Sequence, residues 1–598
     1  MDERRLRSLI GKVKDGRLSR RAFVRRMIAL GLTAPFANVL LAHAGVAAEP
    51  TAFDYKPKKA GGGGPLKLLY WQAPTLLNPH FAVGTKDQEG SRIFYEPLAG
   101  WDGDGNLVAA LAAEIPDPEN GGVASDAKSV TWKLKRGVKW HDGQPFTADD
   151  VVFTWQYAAD PATAATTIGS YKDVKAEKLD DFTVKVSFSK PAPFWADAFV
   201  GAFGMIIPKH LFEAYQGGKS RDAPANLKPV GTGPYRFLSF NPGDLLRGER
   251  NPDYHLANRP YFDAVEIKGG GDAISAARAV IQTGEYDFAW NLQVEDEILQ
   301  RLERGSDAKG RAQLTASGSI EHIQLNHADP WTEVDGERSN VKTTHPLLAD
   351  AAVRQALSLL VDREAVHKYI YGRTGLATAN FINNPQRFVS KDTHWEFSID
   401  KANALLDAAG WKRGDDGVRT KDGKRLKFVF QTSINALRQK NQEIVKQACQ
   451  KAGIDMELKS VVASVYFSSD VANQDTYAHF VADLQMLTTN MGQPDPSIFM
   501  RQFLSSEVAQ KANKWQGRNS SRWSSPEYDA VFDATQTELD PVKRAALFIK
   551  LNDMVVNAPV VIPDVYRPGV AGVAKGLQVN LSGWDNNTWD VRNWYRET

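Results

Sequence analysis

The sequence predicts an α/β protein built from two or more lobes, and three features lead there. A chain of 598 residues is too long for one hydrophobic core and divides among several. Residues 425–462 read as strand, helix, strand. Leu426, Phe428 and Phe430 alternate; Leu437, Asn441, Ile444, Val445 and Ala448 share a helical face; Gly453 stops the helix, and Ile454, Met456 and Leu458 alternate again. A unit of that length implies a parallel pair with a right-handed crossover. Strands with one buried face also recur earlier. Val130, Trp132 and Leu134 alternate with Thr131, Lys133 and Lys135, and Phe182, Val184, Val186 and Phe188 with Thr183, Lys185 and Ser187. Hydrophobic residues at 42% and charged residues at 24% are globular values.

The formal charge of +2 hides an asymmetry. Residues 1–48 carry 10 Lys and Arg against 3 Asp and Glu, and the remainder 63 against 68. The body of the protein is therefore mildly acidic, which argues against a nucleic-acid partner, since that requires a basic face. The basic segment reads as a twin-arginine signal peptide over 1–48. Ser19-Arg20-Arg21-Ala22-Phe23-Val24 fits that export motif, 27–48 holds no Lys, Arg, Asp or Glu, and Val46-Ala47-Ala48 or Ala42-His43-Ala44 offers small residues for cleavage. A membrane anchor is the competing reading; Pro35, Asn38 and His43 leave the run only moderately apolar. No later run of about 18 apolar residues exists, so a soluble exported protein is expected. The single cysteine, Cys449, allows no intramolecular disulfide, and no lipid-acceptor cysteine follows the signal, which fits a periplasm.

Residues 49–65, ending in four glycines and Pro65, read as a flexible leader. They are not a phosphate loop, because no Lys-Ser/Thr follows. Leu66–Trp71 is the first strand, and its exit, Gln72 to Pro79, carries two prolines that fix an irregular loop. Ile93–Leu98 and a turn at Asp102–Asn106 precede Leu107–Ile115, a helix or an extended segment. Residues 129–154 read as strand, turn at Arg136-Gly137, short strand, turn at His141-Asp142-Gly143, and a helix opened by a capping-box-like Thr147 and Asp150. Pro208–Phe212 starts a short helix, and Gly231–Phe237 is a glycine turn leading into a strand, so 90–230 reads as a semi-independent subdomain. Beyond about 320, helix and strand alternate: Asp350–Tyr371 is a helix ended by Gly372, and Ser398–Ala409 another ended by Gly410.

Motifs for chemistry are absent. There is no HExxH, GxSxG, P-loop or SxxK pattern, and one cysteine excludes CxxC pairs. His322 and His327 point to opposite faces of a predicted strand and read as ordinary polar residues. Asp149-Asp150 suits the positive end of a helix dipole. Trp584, Trp589 and Trp594 read as anchors of the C-terminal segment. No metal, cofactor or catalytic residue is expected.

Residues 131–154, TWKLKRGVKWHDGQPFTADDVVFT, resemble the signature of the family 5 extracellular solute-binding proteins, the dipeptide/oligopeptide-binding components of ABC importers. Further landmarks follow in order: Pro74-Thr75-Leu76-Leu77-Asn78-Pro79, Pro229 to Tyr235, Gln282 to Asp287, Val353 to Ser358 with Val361-Asp362-Arg363, and Ala404 to Trp411. The resemblance covers nearly all of 66–598. It implies a two-lobed periplasmic-binding-protein architecture, type II-like, with an extra N-terminal subdomain. Lobe I would hold 66–320, lobe II 321–565 with crossings near Ile320–Leu325 and Pro559–Arg567, and 566–598 would return to lobe I. It also implies a periplasmic monomer, not an enzyme, whose lobes close on a peptide or peptide-like solute and deliver it to an inner-membrane permease.

One departure bears on the ligand. Peptide-binding members of the family usually carry an Asp-Tyr before a Pro-Asp-Pro-like segment, and that Asp pairs with the peptide's α-ammonium. Here Gly492 stands in place of that Asp and Gln493 in place of the Tyr, ahead of Pro494-Asp495-Pro496. A buried ammonium needs such a partner, so a free peptide N-terminus held in that manner is not expected. A modified peptide, an opine, a sugar-like solute, a nickel chelate or haem stay open, and a periplasmic hydrolase is a third class. The resemblance points to Thr488, Thr489, Asn490, Met491, Gly492, Leu77, Asn78 and Tyr95 as ligand-binding residues.

Overall fold

The apolar alternations of the sequence become strands of one long sheet. The computed structural model describes residues 53–597 except 469, with isolated positions between 8 and 26; the rest of the expected signal peptide lies outside the described residues. In chain order the framework strands are β1 (Pro65–Tyr70), β2 (Ser129–Lys133), β3 (Val174–Asp180), β4 (Thr183–Phe188), β5 (Tyr235–Asn241), β6 (Leu245–Arg250), β7 (Ala264–Gly269), β8 (Phe288–Ala289), β9 (Gly310–Leu325), β10 (Lys427–Ser433), β11 (Asp455–Val461), β12 (Leu484–Thr489) and β13 (Val561–Ala574). The helices that matter here are α1 (Thr85–Ser91), α2 (Ala148–Ala159), α3 (Ala351–Leu359), α4 (Ile399–Ala408) and α5 (Ala436–Lys451).

The sheet runs β11-β10-β12-β9-β13-β8-β1-β7-β6-β5 and so passes through both lobes. β10 and β11 are parallel and joined through α5, the strand–helix–strand unit expected over 425–462. The two long strands at the centre, β9 and β13, are antiparallel. Gly310–Thr315 pairs with Gly569–Ala574 on the lobe I side, and Ser319–Gln324 with Val561–Arg567 on the lobe II side. Between these halves three residues, Ala316, Ser317 and Gly318, stand opposite Pro568 alone. Proline has no N–H to give a ladder, so a bulge is the expected response. Ser317 repairs the gap: its hydroxyl donates to the Arg567 carbonyl (2.7 Å) and accepts from the Ser319 N–H (3.1 Å).

Of the strand, turn, short strand, turn and helix expected over 129–154, the first strand and the helix form, but β2 pairs with β4, and the expected short strand is reduced to a single bridge between Lys139 and Pro145. Thr147 and Asp150 make a capping box at the start of α2, and Asp149 pairs with Lys178 outside it. β2, β4 and β3 form a separate three-stranded sheet, yet their buried faces belong to the same apolar cluster as β1. That cluster also takes in Phe381, Phe499, Phe503 and Phe548, so apolar packing does not stop at residue 321. A second cluster fills the space between α3, α4, α5 and β10–β12. Trp584, Trp589 and Trp594 are buried, as anchors of the C-terminal return.

One alternative is settled and two further expectations are corrected. Of the two readings of Leu107–Ile115 the extended one holds, and the helical one falls, since Leu107–Ala109 pairs with Ala99–Trp101. The helix expected over Asp350–Tyr371 breaks after Leu359, because the Asp362 carboxylate accepts the Ala365 N–H (2.9 Å) and caps a new turn. The described part of the expected flexible leader is tied down: the Gly61 N–H donates to the Pro260 carbonyl, and the Gly62 and Gly64 N–H groups each donate to the Asp263 carboxylate at 2.9 Å.

His141, in the hairpin's second turn, is a scaffold group. Its Nδ1 accepts the Gly231 N–H (3.1 Å) and its Nε2 donates to the Gly233 carbonyl (3.0 Å), which fixes a neutral tautomer. A Cβ on Gly231 would lie 1.8 Å from the Phe94 carbonyl oxygen, so only glycine fits there. Burial pulls the imidazoles of His80, His141 and His322 from 6.5 down to about 4. Unfolded histidines take up protons at higher pH than these do. The stability they contribute is therefore full above pH 6.5 and is lost as pH falls toward about 4. Urea midpoints should decline through that window; a flat profile would contradict neutral burial.

Candidate functional site

A cavity of about 300 Å³ opens between α1 with its preceding loop, the middle of the β9–β13 pair and the loop after β12. The segments expected in lobe I supply α1 with the loop before it, Trp290 and five residues of 582–587; β9 and β13 supply Thr315, Ser317, Ser319 and 567–570; those expected in lobe II supply Arg438, 487–493 and 515–518. The loop after β12 is delivered by strand pairing, since β12 lies antiparallel to β9 with Thr488 opposite Glu321 and Thr489 opposite Ile320.

Five of the expected residues, Thr488, Thr489, Asn490, Met491 and Gly492, lie together on this wall. Asn490 joins the lobes: its Nδ2 donates to Thr85 Oγ1 of α1 (2.9 Å), and its Oδ1 accepts from the Ser319 hydroxyl (2.8 Å). Met491 is buried against the bulge, where a Cβ on Gly318 would come within 2.6 Å of it. Gly492 faces the ring of Phe203.

The other three are elsewhere. Leu77, Asn78 and Tyr95 are wholly buried in lobe I and do not line the cavity. Asn78 Nδ2 donates to Asn226 Oδ1 (2.8 Å) and to the Tyr157 hydroxyl (3.2 Å), while the Leu77 and Tyr95 side chains join the core. The proline-bounded loop folds beneath α1 because Asp87 accepts the Thr75 N–H (2.6 Å), which turns its side chains inward.

At the base of the cavity Glu321 is completely buried between Arg438 (2.7 Å) and Arg567 (3.6 Å). Burial pushes its carboxyl up, but the two guanidinium groups and the Thr488 hydroxyl (2.5 Å) outweigh that and hold it below the usual range. The carboxylates on the wall itself are likewise engaged. Glu89 accepts from the Asn587 N–H and Nδ2 (2.8 Å each) and from the N–H and hydroxyl of Thr588 (3.0 Å each), though burial still raises its pKa. Asp585 is raised by burial too, opposed by Arg92 at 3.8 Å. Lys86 is spent on Asp87 and Thr75, both at 2.8 Å. Gly492 adds no carboxylate. Among the described residues no three His, Cys, Asp or Glu side chains converge as a metal set.

Asp495, the later acid of the ligand-loop motif, is off the wall. It is buried, paired two-handed with Arg544, and accepts the Ser497 N–H (3.0 Å). Sequence reasoning missed Arg438, Arg518, Arg567 and Glu89. Single charged residues scattered over a strand, two helices and a loop carry no shared periodic signal, and only the fold brings these four to one wall. Replacing Asp495 by Ala would leave Arg544 buried and unpaired, so a loss of about 3–5 kcal/mol is expected in urea denaturation. A loss below about 1 kcal/mol would show that the pair does not hold this loop.

The family model for bacterial extracellular solute-binding proteins, family 5, matches residues 106–511. The oligopeptide-binding protein AppA of Bacillus subtilis strain 168 is 29% identical over 417 residues, 68% of this chain and 71% of that protein. The solved structure of Bacillus subtilis AppA with a nonapeptide superposes with a TM-score of 0.75 at 22% identity, over 91% of this chain and 100% of that one. NikZ from Campylobacter jejuni, solved with Ni(L-His), gives 0.74 at 23% identity, over 90% and 100%. The two-lobed α/β architecture expected from the sequence is the one these structures share.

Proposed function

We propose, starting from the fact that the chain belongs to the bacterial extracellular solute-binding proteins of family 5, that it captures a peptide-like solute between its lobes and delivers it to an ABC permease in the inner membrane. The observation that carries this reading is the cavity walled by both lobes, with Asn490 reaching across to Thr85. Closure on a solute excludes water and strengthens every polar contact inside. The bulge opposite Pro568 is the point about which the lobes swing. Membership of a substrate-binding family supports binding without turnover. The N-terminal arginine motif supports export by the twin-arginine route to the periplasm, where the chain works as a monomer.

The solute is not anchored by a free α-ammonium group. Gly492 offers no carboxylate, and Glu89 and Asp585 are held by protein donors. A non-peptide solute is the second reading, favoured by the same lack of an ammonium partner. NikZ, which shares the fold, was solved with Ni(L-His).

Native mass spectrometry of freshly purified protein should show one small molecule per chain, recovered chemically unchanged; a turnover product would point to a hydrolase instead. Calorimetry with di- and tripeptides and their N-acetylated forms should show no strict need for a free amine. Tight binding abolished by N-acetylation would sink the ammonium-independent reading.

A further inference from the structure

The cavity carries more positive charge than its own acids neutralise. Arg518 lines it from lobe II, half-buried, with its guanidinium carbon 5.1 Å from the centre of the Phe203 ring of lobe I. Among the described residues no carboxylate or carbonyl accepts a hydrogen bond from its side chain. The acids whose charge it feels, Glu507 and Asp197, sit instead within 3.9 Å of Lys172 and Arg501. Burial lowers the pKa of Arg518, as it must for a cation without a close partner. Arg567 is short of acceptors as well. It is almost fully buried, shares the single Glu321 carboxylate with Arg438, and its Nε–H is unpaired. On the acid side of the ledger, Glu89 and Asp585 already meet protein donors.

A half-buried guanidinium that lines a cavity and meets no protein acceptor keeps its N–H groups for whatever fills the cavity, and a carboxylate that takes two of them gains directional, charge-assisted bonds. We infer that the solute is an anion whose carboxylate is taken by Arg518, and that Arg518, with the facing Phe203 ring, selects acids over their neutral counterparts. The inference rests on the solute-binding reading above and narrows it. The cargo becomes a carboxylate-bearing compound that needs no ammonium group, such as an N-blocked acidic peptide or another amino-acid-derived acid.

Two measurements on the full mature chain test this. The co-purified molecule, identified by native mass spectrometry, should bear at least one carboxylate. Arg518→Gln should weaken its rebinding roughly 10- to 100-fold, while Arg518→Lys, which keeps the charge but not the two-pronged geometry, should retain part of the affinity. The second measurement needs no knowledge of the cargo. In protein stripped of small molecules by partial unfolding and refolding, N-acetyl-Ala-Glu, N-acetylglutamate and citrate should raise the thermal midpoint at constant ionic strength. The matched amides should not, and Arg518→Gln should abolish the difference. A neutral or cationic cargo, equal shifts from acids and amides, or an unchanged response in Arg518→Gln would overturn the anion assignment while leaving a solute-binding protein. A chain that takes up no small molecule of any charge would overturn the solute-binding reading itself.

Discussion

The Glu321 carboxylate has no access to water and sits where β9 passes from one lobe to the other. Arg438 reaches it from the first turn of α5, Arg567 from β13, and Thr488 from the end of β12. The Thr488 hydroxyl donates to Glu321 and accepts from Arg438 Nη2 (3.0 Å) and Arg567 Nη1 (2.8 Å). A buried charge is tolerable only when its partners are held in good geometry. Four segments are thereby obliged to keep one mutual arrangement. The loop 488–493 inherits its position from that obligation, and the floor of the cavity is the same group of side chains.

Just beyond this cluster the sheet is deliberately discontinuous. Pro568 cannot donate, three residues of β9 crowd opposite it, and the Ser317 hydroxyl replaces ladder bonds with side-chain bonds. The Tyr566 hydroxyl and Asn384 Nδ2 both donate to the Ser317 carbonyl, at 2.9 and 3.1 Å, so that carbonyl is satisfied by side chains in place of the ladder. Among the described residues β9 and β13 continue on both sides of the bulge, which lies beside the cavity. Closure by bending there, as proposed, would move the walls relative to each other while the strand pairing on either side stays intact.

Much of the framework could be read before any coordinates. The unit at 425–462 was legible because strand and helix periods switch cleanly and Gly453 marks the stop, and the helix start at Thr147 because its capping pair is a local signal. Local signals also misled. The break after Leu359 depends on one capping aspartate inside an otherwise continuous helical pattern, and the glycines before β1 look free until Asp263, some 200 residues later, takes their N–H groups. Of the expected site, 488–492 stands on the cavity wall, whereas Leu77 and Asn78 of the first strand's exit loop and Tyr95 at the edge of the subdomain are buried away from it. The arginines of the cavity were invisible, since nothing in their neighbourhoods distinguishes them from surface residues. Their importance arises from burial and from the shortage of acids, and both are properties of the assembled fold.

If both lobes close on a solute about the Pro568 bulge, the distance between them must depend on that solute. Cys449 is buried, and burial pushes its thiol up to about 12, so it stays out of labelling reactions. Spin labels at cysteines introduced for the exposed residues Glu177 of lobe I and Glu457 of lobe II therefore report the lobes alone. Pulsed electron double resonance on solute-loaded protein should give one narrow distance. After the solute is stripped, the distribution should broaden and move to a different mean, and it should return on reloading. Superimposable distributions in the loaded and stripped protein would contradict closure about this hinge.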